Sequence, residues 1–264
     1  MKTFLRLSLA ALLALPLAAA AQWEGSFDMK ISGKDVTGSA KALVGKAGSR
    51  MQMEMTPLAA KGAGGMRMTV ISRTAEPGVS YIVNDEHRSY ARIDVKEMEK
   101  QVPAQERERK WTVKRLGPDR VAGYACERAI LAQEGGDTEN EVCVTKELGG
   151  TAGLFSTGRR SGSGMEIEKA LKSNGLDGMP VRMVIRKKGE ADATMTWELV
   201  KAEKRPVPAS TFEVPAGYKE TSMMGTMMSP EQQKQIDDAM KNMTPEQRKM
   251  IEQMMKKQGG GGGR

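Results

Sequence analysis

Apolar and polar residues alternate with a period of two through about the first 200 residues, the pattern of strands with one buried and one solvated face. Trp23, Phe27, Met29 and Ile31 share one side, with Glu24, Ser26, Asp28 and Lys30 on the other. Met51, Met53 and Met55 alternate with Gln52 and Glu54, and Met66, Met68 and Val70 with Arg67 and Thr69. Val79, Tyr81 and Val83 run into a polar turn at Asn84-Asp85-Glu86-His87, and Tyr90 follows on the return. Val181, Met183 and Ile185 precede a Lys188-Gly189 turn, after which Ala193, Met195, Trp197 and Leu199 alternate again.

Two helices interrupt the strands. Asp94 with Glu97 three residues on makes a capped start, with Val95, Met98 and Val102 on one side. A second helix is predicted over 165–173, stopped by Asn174-Gly175. The balance predicts a mainly antiparallel β (α+β) domain over 22–220, an incomplete β-barrel wrapped over short helices. A closed barrel or a sandwich carries the same pattern.

From residue 221 the character changes. Residues 221–264 hold nine of the 21 Met, no aromatics and a Gly-rich end, Gly259 to Gly263. Ser229-Pro230-Glu231-Gln232 recurs 15 residues on as Thr244-Pro245-Glu246-Gln247, and Ile236 and Met240 recur as Ile251 and Met255. Each copy opens with a Ser/Thr cap and Pro at the first helical position. The expectation is a Met-rich helical arm of two repeats, too short to be stable without docking.

Composition alters this picture at the start of the chain. Lys2 and Arg6 flank an apolar run, Leu7 to Leu17, followed by Ala18 to Ala21. That is the make-up of a secretory signal peptide over residues 1–21, cleaved near Ala21-Gln22, and too short for a spanning anchor of about 20 apolar residues. The expected location is the periplasm, with no spanning segment in the mature chain. Losing Lys2 and Arg6 takes the formal charge from +8 to +6. Acidic residues are interleaved with basic ones, so no phosphate-binding stripe forms and no nucleic-acid partner is expected.

Cys126 and Cys143 lie in two extended runs joined by Glu134-Gly135-Gly136-Asp137. A hairpin centred between Glu134 and Gly135 places them opposite each other, and an exported protein is expected to bond such a pair. A redox-active pair is the alternative, without a Cys-x-x-Cys spacing or a helix start to lower the thiol pKa.

Four segments in order carry a family resemblance: Ser49-Arg50-Met51-Gln52-Met53-Glu54-Met55, Val121-Ala122-Gly123-Tyr124-Ala125-Cys126-Glu127, Val142-Cys143-Val144-Thr145-Lys146-Glu147-Leu148 and Phe212-Glu213-Val214-Pro215-Ala216-Gly217-Tyr218-Lys219. Over roughly residues 23–220 the chain resembles the exported bacterial family named domain of unknown function 4412 (DUF4412). The resemblance implies a fold similar to the lipoprotein carriers LolA and LolB, an incomplete barrel over short helices. Cys143 stands where that family's pattern leads one to expect an aromatic residue. The family brings no catalytic or ligand residues to carry over.

Chemistry on offer is sparse. One histidine, His87, excludes a multi-His metal centre, and no phosphate-binding loop or paired-carboxylate motif is present. A non-enzymatic protein without a resident cofactor is expected, binding a lipid, acyl chain, lipoprotein or apolar peptide. Met is flexible and polarizable, so a face of Met51, Met53, Met55, Met66, Met68, Met183, Met195 and Trp197 suits apolar ligands of varied shape. The bland alternative is that these residues only fill the core. A second reading is a Cu(I) site on thioethers, from Met51, Met53 and Met55 or from Met223, Met224, Met227 and Met228. In a third, the phrase Thr244-Pro245-Glu246-Gln247-Arg248 resembles the repeat of Spy-type stress chaperones, and the arm engages an envelope protein.

Overall fold

The computed structural model describes residues 23–58, 65–101, 110–149 and 163–227, together with 238 and 244. Twelve strands form one sheet: β1 Gly25–Gly33, β2 Val36–Gly45, β3 Gly48–Pro57, β4 Met66–Arg73, β5 Val79–Asn84, β6 Ser89–Asp94, β7 Trp111–Val121, β8 Tyr124–Gln133, β9 Thr138–Thr145, β10 Met179–Lys187, β11 Ala193–Lys204 and β12 Lys219–Glu220. Their order is β12-β6-β5-β4-β3-β2-β1-β11-β10-β9-β8-β7. Every pairing is antiparallel except β12 on β6. The order runs from one free edge to the other, so the sheet is open and the closed-barrel alternative falls away.

Among the described residues, three helices accompany it: α1 Val95–Gln101, α2 Ser163–Ser173 and α3 Met223–Met227. Asp94 caps α1 as predicted, its Oδ1 accepting from Lys96 N–H at 3.0 Å and Glu97 N–H at 3.4 Å. Gly175, at φ +70°, ends α2, and Leu176 N–H reaches back to Leu171 O at 2.9 Å. The apolar side of α2, Ile167, Ala170 and Leu171, packs with Ala129, Leu131, Val142 and Val144 of β8 and β9.

Two sequence expectations need correction. The one-sided picture fails at β5, where Val79 to Val83 are all buried. Their alternate side chains meet a return segment that crosses the far side of the sheet: Phe212, in a 3-10 turn over Ala209–Phe212, packs with Ile71, Val79, Tyr81 and Val83. Glycines make room for it, because a Cβ at Gly45 would lie 3.1 Å from the Phe212 ring. The segment continues through Val214 and Tyr218 to β12.

The second correction concerns the cysteine hairpin. The register pairs Glu127 with Val144 and Arg128 with Cys143, which centres the turn between Gly135 and Gly136, one residue beyond the expected position. Cys126 and Cys143 are therefore diagonal neighbours. They are bonded nonetheless, with Cα atoms 5.4 Å apart. The shift follows from Gly135, whose φ of +68° makes it the left-handed residue of the turn, with Gly136 N–H returning to Gln133 O at 3.0 Å.

The signal segment 1–21 lies outside the described residues, as does the repeat arm apart from Asp238 and Thr244. The start of the C-terminal region is described, and it is docked. Thr226 is 1% exposed, and Asn84 Nδ2 donates to its carbonyl at 2.8 Å. No helix among the described residues is long and apolar enough to cross a membrane.

Candidate functional site

One continuous face carries the apolar residues singled out from the sequence. Met51, Met53 and Met55 of β3 stand opposite Val70, Met68 and Met66 of β4. On the other side they face Ala42, Ala40 and Gly38 of β2, which in turn face Phe27, Met29 and Ile31 of β1. Ile31 pairs with Trp197 of β11, Gly33 with Met195, and Trp197 with Met183 of β10. All eight predicted residues thus share the face, spread over four strands with β1 and β2 between them.

The residues missed in the sequence are the small ones of β2. Gly38, Ala40 and Ala42 form a low row between the tall rows of β1 and β3. A Cβ at Gly38 would come 3.1 Å from the Met55 Cα and collide with the Glu54 carbonyl. The period-two run Gly38-x-Ala40-x-Ala42 is the available signal, a faint one because small residues read weakly as strand formers.

Burial divides the face. Met51 and Met53 are each 5% exposed and Phe27, Met29 and Ile31 are 0–2% exposed, so this part is packed core. Met55, Met68, Met183, Met195 and Trp197 are half-buried, and Met66 is 44% exposed. The rim is therefore where β3, β4 and β11 present thioethers. Trp197 Nε1–H donates to Met195 Sδ at 3.0 Å, which fixes the indole edge there.

Two notches open near this end of β4 and β5, the larger on the opposite face of the sheet and the smaller on the methionine side. The larger, about 340 Å³, is lined by Met68, Thr69, Val83 and Asp85 among others. A smaller one of about 30 Å³ adds Met66, Ile82 and Thr226, so α3 forms part of its wall. Asp85 is held in place by Tyr218 O–H at 3.0 Å, Thr69 Oγ1–H at 3.4 Å and Arg50 at 3.8 Å. Burial, followed by that hydrogen bond to Asp85, pushes the Tyr218 hydroxyl above its ordinary pKa. Tyr218 thus ties the return segment to the notch.

Charged residues elsewhere compensate one another. Across β7 to β10, Asp119 pairs with Arg182 and Arg128, Glu141 with Arg128 and Arg186, and Glu139 with Arg186. The backbone N–H of Arg120 and then the Arg182 guanidinium hold Asp119 below the usual carboxylate range. Lys187 pairs with Glu190 at 3.8 Å, so the Arg186-Lys187-Lys188 cluster is largely neutralised. His87 lies in the β5–β6 turn with its N–H on Asn84 Oδ1 at 3.1 Å. Of the second methionine group, Met223 is 40% exposed at the start of α3, and Met228 lies outside the described residues. Among the described residues, no three His, Cys, Asp or Glu side chains gather where they could hold a metal ion.

A strand-rich domain with one disulfide and an aliphatic, Met-lined face is the class this geometry defines. The chain belongs to the family described as Domain of unknown function (DUF4412), which matches residues 23–218. No curated protein matches it in sequence. Solved structures to which it is similar include MucB, at 10% identity and TM-score 0.41, covering 74% of this chain and 58% of that one. An uncharacterised conserved protein from Thermus thermophilus matches at 8% identity and TM-score 0.41, covering 75% and 91%. A LolA superfamily protein from Nitrosomonas europaea matches at 8% identity and TM-score 0.30, covering 73% and 90%. The chain spans little more than half the length of the MucB chain it matches.

Proposed function

We propose that this chain is a non-enzymatic protein of the bacterial envelope that binds a hydrophobic group, an acyl chain or an apolar peptide segment, along its methionine face. One observation carries the reading: an apolar surface continuous over six strands passes from packed core at Met51 and Met53 to an accessible rim at Met55, Met66 and Met68. An unbranched thioether side chain can swing aside at modest cost, so a ligand entering at the rim can extend inward by displacing methionines. The small row Gly38-Ala40-Ala42 gives such a ligand a floor once the methionines part.

Export through the signal segment at 1–21 belongs to the same proposal, since the Cys126–Cys143 bond suits an oxidising compartment. The test is native mass spectrometry of protein taken from the periplasm without refolding. An added mass of a lipid or acyl chain, lost when Met55 and Met66 are both changed to Lys, is the expected result. A bare protein, recovered folded and from the periplasm, would refute ligand carriage.

A further inference from the structure

We infer that Met53, Met55, Met66 and Met68 form a binding site for a soft monovalent cation, Cu(I) or its surrogate Ag(I). The inference stands on strand register and does not require a hydrophobic ligand. Met55 lies directly opposite Met66, and Met53 directly opposite Met68. The two pairs are successive on the same face, so four thioethers occupy the corners of one small rectangle.

Opposed residues of an antiparallel pair have Cα atoms about 4.5–5.5 Å apart, and diagonal ones stand roughly 7–8 Å apart. Rotation about Cα–Cβ and Cβ–Cγ swings each methionine sulfur through a wide arc, enough for sulfurs at these corners to converge on one ion. The array is graded from outside to inside: Met66 is 44% exposed, Met55 and Met68 are half-buried, and Met53 is 5% exposed. An ion therefore has an open side to enter and a dry side to settle against.

The donor set selects the metal. Neutral thioethers without imidazole or carboxylate in the array do not suit Zn²⁺, Mg²⁺ or Ca²⁺, whereas they suit soft monovalent Cu(I). Asp85, bonded to Thr69 and paired with Arg50, lies on the opposite face of the sheet, so its charge does not face the thioethers. Arg67, between Met66 and Met68 in sequence, points its charge to the other side and pairs with Glu54 at 2.8 Å. The register favours this set over one strand alone: Met51 faces Val70, which offers no sulfur, while Met53 and Met55 face Met68 and Met66.

Methyl NMR of the full chain labelled at methionine tests this with Ag(I), which needs no reductant and leaves the disulfide intact. The first equivalent should shift the methyl signals of Met53, Met55, Met66 and Met68 together and leave Met29 and Met179 in place. Changing Met55 and Met66 together to Leu, which keeps the face apolar, should weaken binding about tenfold or more. A first equivalent that shifts only Met223 and other C-terminal methionines, or none at all, would overturn the site.

Discussion

At Ala122 the backbone has φ +49°, followed by Gly123 at φ +88°, in the two-residue loop between β7 and β8. Loops of this mirror-image kind favour Asn-Gly, because a side chain other than Asn or Asp is strained at the first position. Ala122→Asn is therefore expected to raise the unfolding free energy by about 0.5–1 kcal/mol, read as a higher urea midpoint at unchanged slope. Phe212 shows the opposite sensitivity. It is 1% exposed and fills the space left by Gly45 and Gly48, so Phe212→Ala should cost about 3–5 kcal/mol in the same assay. The most specific phrase of the family resemblance, Phe212 to Lys219, is in this light a structural seam. Its phenylalanine plugs the far side of the sheet, its tyrosine holds Asp85, and its lysine begins β12.

Single side chains also join elements. Asn84 Oδ1 accepts the N–H groups of Glu86 and His87 at the β5–β6 turn, while its Nδ2 donates to the Thr226 carbonyl of α3. Asn84→Ala removes all three bonds. Hydrogen exchange at Glu86 and His87 should quicken, and stability should fall by about 1–3 kcal/mol. At the element scale the sequence was readable wherever burial is one-sided. Met51-x-Met53-x-Met55 and Met66-x-Met68 alternate because a single face of β3 and β4 meets the core near the rim. The same logic failed at β5, where Phe212 arrives from about 130 residues away and buries the second face. Local pattern carries no record of such a long-range cover. The hairpin's centre was off by one residue, and its pairing by two, because the choice of left-handed position within Glu134-Gly135-Gly136-Asp137 is a matter of turn energetics that polarity does not encode.

For the molecule as a whole, the disulfide and the carboxylate network set its tolerance of reductant and acid. Cys126 and Cys143 are separated by 17 positions, and closing a loop of that size is worth about 3 kcal/mol in the chain-entropy picture. Cys126→Ala with Cys143→Ala should lower the unfolding free energy by about that amount. In acid, Glu76, Asp119 and Glu203 all contribute, the last held below its ordinary range by Lys201. Tyr81 O–H and then Arg73 hold the Glu76 carboxyl below its ordinary range, as Arg120 N–H and Arg182 hold Asp119. A depressed carboxylate pKa contributes stability that is complete above the unfolded value and lost as pH falls through the folded one. Thermal midpoints should accordingly be level near neutrality and decline from about pH 4 downward.

The face itself was only half legible. Its members could be named from alternation, but their division into packed core and open rim depends on what lies over each strand. The central claim concerns that rim. Trp197 is half-buried on it, beside Met195 and opposite Ile31 and Met183. In a Trp23→Phe, Trp111→Phe background it becomes the sole tryptophan, and acyl chains carrying bromine can be titrated against its fluorescence. Saturable quenching at one chain per protein, reduced when Met55 and Met66 are changed to Lys, is the result expected. Quenching that rises linearly without saturation, or is absent while the protein stays folded, would contradict a hydrophobic ligand on the methionine face.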